Sequence, residues 1–239
     1  MLIGTDFPKI EFSLFGLDLV EPNAFIGDTV ILIVALFFAY KTHKISANQP
    51  FYKYWKWFFI VFGISFFGGG LAHVFFNYWG VTGKHFSWYS GIVAVCLIEL
   101  AMISVFPLQT WIKNLQIIVV LKLIIVLIIQ TIIVNSIDLT IDPQKGLIVP
   151  TINSVLGLGL TLGFLSVYYQ RKISPSFKYL WISTLVLIPN TAIQGMKINI
   201  HPWFDRNDFS HVLLITGLIL YMIALSKRGK EIQLEKDNK

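Results

Sequence analysis

Phe67-Gly68-Gly69-Gly70-Leu71-Ala72-His73 lies late in an apolar run that extends from Lys56 to Trp79. A run of that length is what a helix needs to cross a bilayer core, which takes ~20 residues. Filling lipid does not call for three consecutive glycines and a histidine. On a helix, Ser65, Gly69, His73 and Asn77 recur at four-residue steps and share one face. That face is small and polar, as expected of a surface packed inside a bundle.

Six further apolar runs, at residues 24–41, 87–106, 114–134, 149–170, 178–196 and 208–225, bring the total to seven. Charged residues make up 13% of the chain and hydrophobic residues 55%, with a mean hydropathy of +0.69, so no soluble domain fits beside the runs. The expected fold is an all-α polytopic membrane protein, a seven-transmembrane-helix bundle. Residues 1–23 are expected as a short extracytoplasmic segment, 24–225 as the transmembrane domain and 226–239 as a charged cytoplasmic tail. The chain does not open on a basic stretch with a short apolar core and cleavage site, so no cleaved signal peptide is expected. A single cysteine, Cys96, rules out an intramolecular disulfide.

Orientation follows from the basic residues. With seven spans, thirteen Lys and Arg fall on one side, in the loops after the first, third and fifth spans and in the tail; five fall on the other. The positive-inside rule then places the N-terminus outside and the C-terminus in the cytoplasm. The net charge of +6 is explained by this anchoring, and no nucleic-acid partner is expected. The membrane is either a bacterial inner membrane or an internal eukaryotic one.

In the N-terminal segment, Phe12, Phe15 and Leu19 have the spacing of a short interfacial helix, against which Gly16 counts. Tyr52, Tyr54, Trp55 and Trp57 among lysines suggest an interfacial aromatic belt. Gly157, Gly159 and Gly163 suggest close helix packing, and Pro189-Asn190 a kink. Glu99 and Lys122 reach similar depths, so they form an intramembrane pair, or else a protonated acid and a snorkelling lysine.

Most other polar residues converge on the outer end. Asp18, Glu21, Asn23 and Asp28 surround the mouth of the first span. Their oxygens suit a hard cation such as calcium, or they cap a helix N-terminus. His73 sits near the outer end of span two, and Asn207, Asp208 and His211 open span seven. Asp208 and His211, at i and i+3, share a helix face; with His73 they form a three-ligand set like an open zinc site. The competing reading is that each histidine simply hydrogen-bonds within a polar core.

These residues, in this order, resemble the alkaline ceramidases and the adiponectin-receptor-like proteins, grouped as the CREST superfamily of seven-span metal hydrolases. Asp18-x-x-Glu21-x-Asn23 looks like the family's calcium-binding stretch, with Leu32 where a further Glu is expected and Asp28 as its substitute. His73 matches a zinc-binding histidine of span two, and Asn207-Asp208-Phe209-Ser210-His211 looks like the His-x-x-x-His of span seven with Asn207 in the first place. Gly69 stands where the family has a serine, leaving Ser65 one turn back; Lys84 and His85 stand near the expected acid of span three. The resemblance implies zinc held by His73, His211, Asp208 and Asn207, with Ser65 and His85 as candidate catalytic groups. It further implies hydrolysis of a lipid amide or ester, on membrane lipids and in particular a sphingolipid-like substrate, by metal-bound water. The alternative is a non-catalytic membrane receptor or binding protein with a degenerate metal site. A transporter is disfavoured by the lack of internal repeats.

Overall fold

Long stretches of Ile, Leu, Val and Phe with few backbone breakers fold as helices, because a helix satisfies every backbone polar group within its own segment. The computed structural model describes residues 7–46 and 48–237. Asp6 of the expected N-terminal segment and Lys239 of the tail lie outside the described residues. Strands β1 (Glu11–Leu14) and β2 (Leu17–Val20) precede helices α1 (Pro22–Ile45), α2 (Pro50–Val74), α3 (Phe76–Trp79) and α4 (His85–Ile103). Then come α5 (Gln109–Ser136), α6 (Ile148–Leu158), a π-helical stretch Gly159–Leu165, α7 (Ser166–Lys172), α8 (Lys178–Gly195) and α9 (Arg206–Asp237). The expected tail therefore continues the last helix.

Six helical segments are long and apolar enough to cross a membrane: Pro22–Ile45, Pro50–Val74, Phe76–Ile103, Gln109–Ser136, Pro143–Lys172 and Arg206–Glu235. The remaining run forms α8, whose second half carries Pro189, Asn190, Thr191 and Gln194 and makes it less apolar than the rest. The protein is thus an all-α bundle of the polytopic membrane type, with a small hairpin in front. α1 packs along α2, α2 along α4, and α9 against both α8 and α1. α5 lies at the periphery, burying Val119 and Gln130 and leaving most of its Ile, Val and Leu side chains outward.

Several local expectations are corrected. The N-terminal segment is an antiparallel hairpin rather than an interfacial helix, with Glu11 opposite Val20 and Leu14 opposite Leu17. Its two-residue turn places Phe15 at φ 51 and Gly16 at φ 77, the positive-φ pair that tight hairpins require. The aromatic belt is split as well. α2 begins at Pro50, which brings Phe51, Tyr52, Trp55, Phe58 and Phe59 into the core with Tyr169, Phe177 and Tyr221; Trp57 stays exposed. Gly159 and Gly163 face open space instead of a neighbouring helix and lie in the π-helical stretch.

Other glycines do admit close contact. A Cβ on Gly70 would come within 2.9 Å of the Asp28 Cβ and 3.3 Å of the Phe25 Cα, so α2 lies directly on the α1 backbone. A Cβ on Gly157 would meet the Glu99 carboxylate at 2.8 Å. There Lys122 Nζ reaches both Glu99 oxygens, at 2.5 and 2.6 Å, tying peripheral α5 to α4.

Gly70→Val is expected to cost about 1–3 kcal/mol through overpacking. Gly163→Ala, with nothing in its way, is expected to shift stability by under about 1 kcal/mol; unfolding in detergent micelles compares them. A double-mutant cycle of Glu99→Gln and Lys122→Met should give a coupling of at least about 1 kcal/mol. Additive effects would mean that the pair contributes nothing.

Candidate functional site

α1 begins with an unusual cap. Glu21 precedes Pro22 and adopts a left-handed conformation, φ 54 and ψ 52, which costs a non-glycine residue on the order of 1–2 kcal/mol. An acid at this position usually accepts from the first free N–H groups of the helix. Glu21 makes no such side-chain bond. Its buried carboxylate turns to His73 Nδ1 at 2.5 Å and Lys9 Nζ at 2.6 Å. Its backbone N–H donates to the Ile10 carbonyl at 2.9 Å, which fixes the hairpin over the helix mouth.

Asp28 lies two turns into α1, buried, with Oδ1 3.0 Å from His211 Nε2 of α9. Room for this pair comes from glycine on both sides. The His211 ring occupies the space of the missing Gly27 side chain, and Gly69 and Gly70 border the Asp28 carboxylate. The other ring nitrogen, His211 Nδ1, is buried without a hydrogen-bond partner.

α9 begins with a capping box. Asp205 Oδ1 accepts from the Asn207 N–H at 2.7 Å, and Asp208 Oδ2 accepts from the Asp205 N–H at 2.9 Å. Asp208 also accepts from Asn23 Nδ2 at 2.7 Å, and the second Asp205 oxygen pairs with Lys9. Asn207 Oδ1 accepts from Gln194 Nε2 at 3.4 Å, while the same nitrogen donates to Ser210 Oγ at 2.7 Å. One buried lysine thus joins the N-terminal segment, the α1 cap and the α9 cap.

Burial opposes charge at Glu21 and Lys9, and pairing overcomes it at both. Desolvation alone would raise the Glu21 carboxyl, yet His73 first and Lys9 second hold it well below the usual carboxylate range. Desolvation alone would lower the Lys9 ammonium, but Glu21 and Asp205 bring it above the ordinary lysine value.

The oxygens expected to hold calcium are distributed to separate partners. Glu21 goes to His73 and Lys9, Asn23 to Asp208, and Asp28 to His211. The Asp18 side chain accepts from Ser13 Oγ at 2.8 Å, outside the network. Of these four residues only Glu21 meets Lys9, which Asp205 holds from the other side.

The histidines of the zinc set each have a carboxylate partner. His73 pairs with Glu21 at the α1 cap and His211 with Asp28 within α1. One zinc would need both nitrogens at ~2.1 Å. Among the described residues no three His, Cys, Asp or Glu side chains form a metal-holding group.

Ser65 Oγ donates to the Ser87 carbonyl at 3.0 Å, and the His85 ring lies against Trp88 with centroids 5.4 Å apart. Neither contact places a nucleophile or base in the histidine–acid network. Lys9 and Asp205 are the members that the sequence reading missed. Asp205-x-x-Asp208 carries a capping signal, and Lys9 is a lone base among the acids of the first segment.

A model of one family, described as a family of unknown function (DUF6962), matches residues 24–230. The chain belongs to that family. The DUF6962 match takes in Asp28, His73, Asp208 and His211, and begins after Lys9, Glu21 and Asn23. No curated protein and no solved structure matches the chain.

The Glu21 sign is definite. Its folded pKa lies below its unfolded value near ~4.3, so its contribution is complete above about pH 5 and fades as pH falls. Glu21→Gln should cost about 3 kcal/mol at neutral pH by leaving Lys9 and His73 underpaired. The variant should also lose less further stability on acidification than the wild type. Circular dichroism melts across the acid range test this, and equal acid slopes in both proteins would refute it.

Proposed function

We propose that this is a seven-span integral membrane protein with its N-terminus outside, and that its outer end is a non-catalytic binding or receptor site. The seven-span reading counts α8, whose length and packing against α9 suit a span despite its polar second half. The orientation rests on the thirteen-to-five division of basic residues. The function rests on one observation: the acids and histidines of the outer end are paired with one another and with Lys9. Such a network keeps the residue pattern of a metal hydrolase while spending its donors on internal ion pairs. Its ligand would be an amphiphile of the surrounding membrane that presents a polar group to this end.

One observation favours the second reading, a zinc-dependent lipid amide or ester hydrolase related to the alkaline ceramidases. His73 and His211 each have one ring nitrogen on a carboxylate, as metal-bound histidines do, and His211 Nδ1 has no partner. That reading requires the free ring nitrogens of the two histidines to converge on one metal.

Metal analysis of protein purified in the presence of zinc separates the readings. The binding-site reading expects substoichiometric zinc, no hydrolysis of an N-acyl lipid, and a lower melting temperature in His73→Ala and His211→Ala. About one zinc per chain, lost in both variants together with a hydrolytic activity, would establish the enzyme and refute the binding-site reading.

A further inference from the structure

The end of the bundle remote from His73 holds a cleft of about 470 Å³ between α2, α7, α9 and the turn after α4. Its lining is mixed. Phe106, Tyr168 and Ile173 supply an apolar wall, while Lys172, Arg228 and the amide side chain of Gln49 supply donors. A volume in this range suits a small ligand or a lipid headgroup with the first part of its chains. The histidine–acid network does not reach this space, while Phe51 and Phe177 of the aromatic core form its floor.

The two cations differ in their surroundings. Arg228 is half-buried and steadied by Glu231 at 3.4 Å and Glu235 at 3.2 Å, contacts to a single nitrogen, NH1. The remaining guanidinium donors are not taken by these two acids. Lys172 ends α7, where a cation is favourable for the helix, and makes no ion pair among the described residues. A helix-end lysine alone would be unremarkable. Here it shares a cleft with a fork-shaped arginine and an apolar wall.

We propose that this cleft binds the phosphate of an anionic phospholipid between Lys172 and Arg228, with the upper acyl region against Phe106, Tyr168 and Ile173. The phosphate accounts for the donors, and the lipid accounts for the wall. Free inorganic phosphate would satisfy the first and leave the second uncovered. The position agrees: the cleft lies where α4 and α7 end, at headgroup depth for a bundle whose apolar helices span the bilayer. Basic pockets between spanning helices on a cytoplasmic face hold anionic headgroups in the same manner. This inference rests on the membrane-spanning reading and not on the chemistry at the His73 end.

The test uses the full chain in nanodiscs of phosphatidylcholine, with or without phosphatidylglycerol, and native mass spectrometry to count retained anionic lipid. Lys172→Gln breaks no ion pair and is expected to lower retention about fivefold, and Lys172→Gln/Arg228→Gln further still. Lys41→Gln, at the basic end of α1 with its ammonium over Phe37, should leave retention unchanged. A melt of each variant confirms folding. Unchanged retention in Lys172→Gln would overturn the proposal, as would an equal loss in Lys41→Gln, which would mean diffuse attraction. A third arm adds inorganic phosphate to phosphatidylcholine discs. Stabilisation by phosphate equal to that by phosphatidylglycerol, lost in Lys172→Gln, would replace the lipid with a free anion and refute the lipid assignment.

Discussion

A carboxylate buried in the end of a helical bundle must meet a cation or a donor, because an unpaired charge there costs several kcal/mol. The α1 cap and first turns carry two such acids, Glu21 and Asp28, and their needs organise the histidine end of the molecule. Glu21 draws in His73 from α2 and Lys9 from the N-terminal segment; Asp28 draws in His211 from α9. Asp205 takes the other side of Lys9 and caps α9. Each ion pair is also a constraint between two elements that are distant in sequence. The glycines follow from the same need, since Gly27, Gly69 and Gly70 remove the side chains that would keep the acids and histidines apart.

The opposite end is held by different physics. Trp55, Tyr52, Phe59 and Tyr169 are almost fully buried, and their packing is directional through ring edges as well as dispersion. The buried hydroxyls find backbone partners: Tyr169 donates to the Met102 carbonyl at 2.9 Å and Tyr52 to that of Leu225 at 3.3 Å. An aromatic core of this kind is permanent. α5 is held apart from both regions by its own apolar seam on α4, in which Val119 packs with Cys96 and Ile103, by its lysine on Glu99 and by Gln130 Nε2 on the Gly146 carbonyl.

Much of this was legible in the sequence, with instructive failures. The long apolar runs and the alignment of Gly69 with His73 on one face follow from composition and helical periodicity, and the structure follows them. The intramembrane acid and lysine were matched by depth alone. The hairpin was missed because Phe12, Phe15 and Leu19 fit a helical period, whereas the Phe15-Gly16 turn decided the backbone. Gly159 and Gly163 have the spacing of packing glycines, but spacing does not say which face of a helix meets a neighbour.

The sequence by itself determined the helical membrane-type class, the approximate extent of each apolar segment and the gathering of polar residues toward one end. These are consequences of local hydropathy and helix geometry, which act over twenty residues or fewer. Only the tertiary structure decided the partnerships. That His73 meets Glu21, that His211 meets Asp28, and that Lys9 bridges Glu21 and Asp205 depend on how α1, α2 and α9 lie together. The reason is physical: a buried charge is compensated by whatever opposite charge the packing brings within reach, and reach is a property of the folded chain.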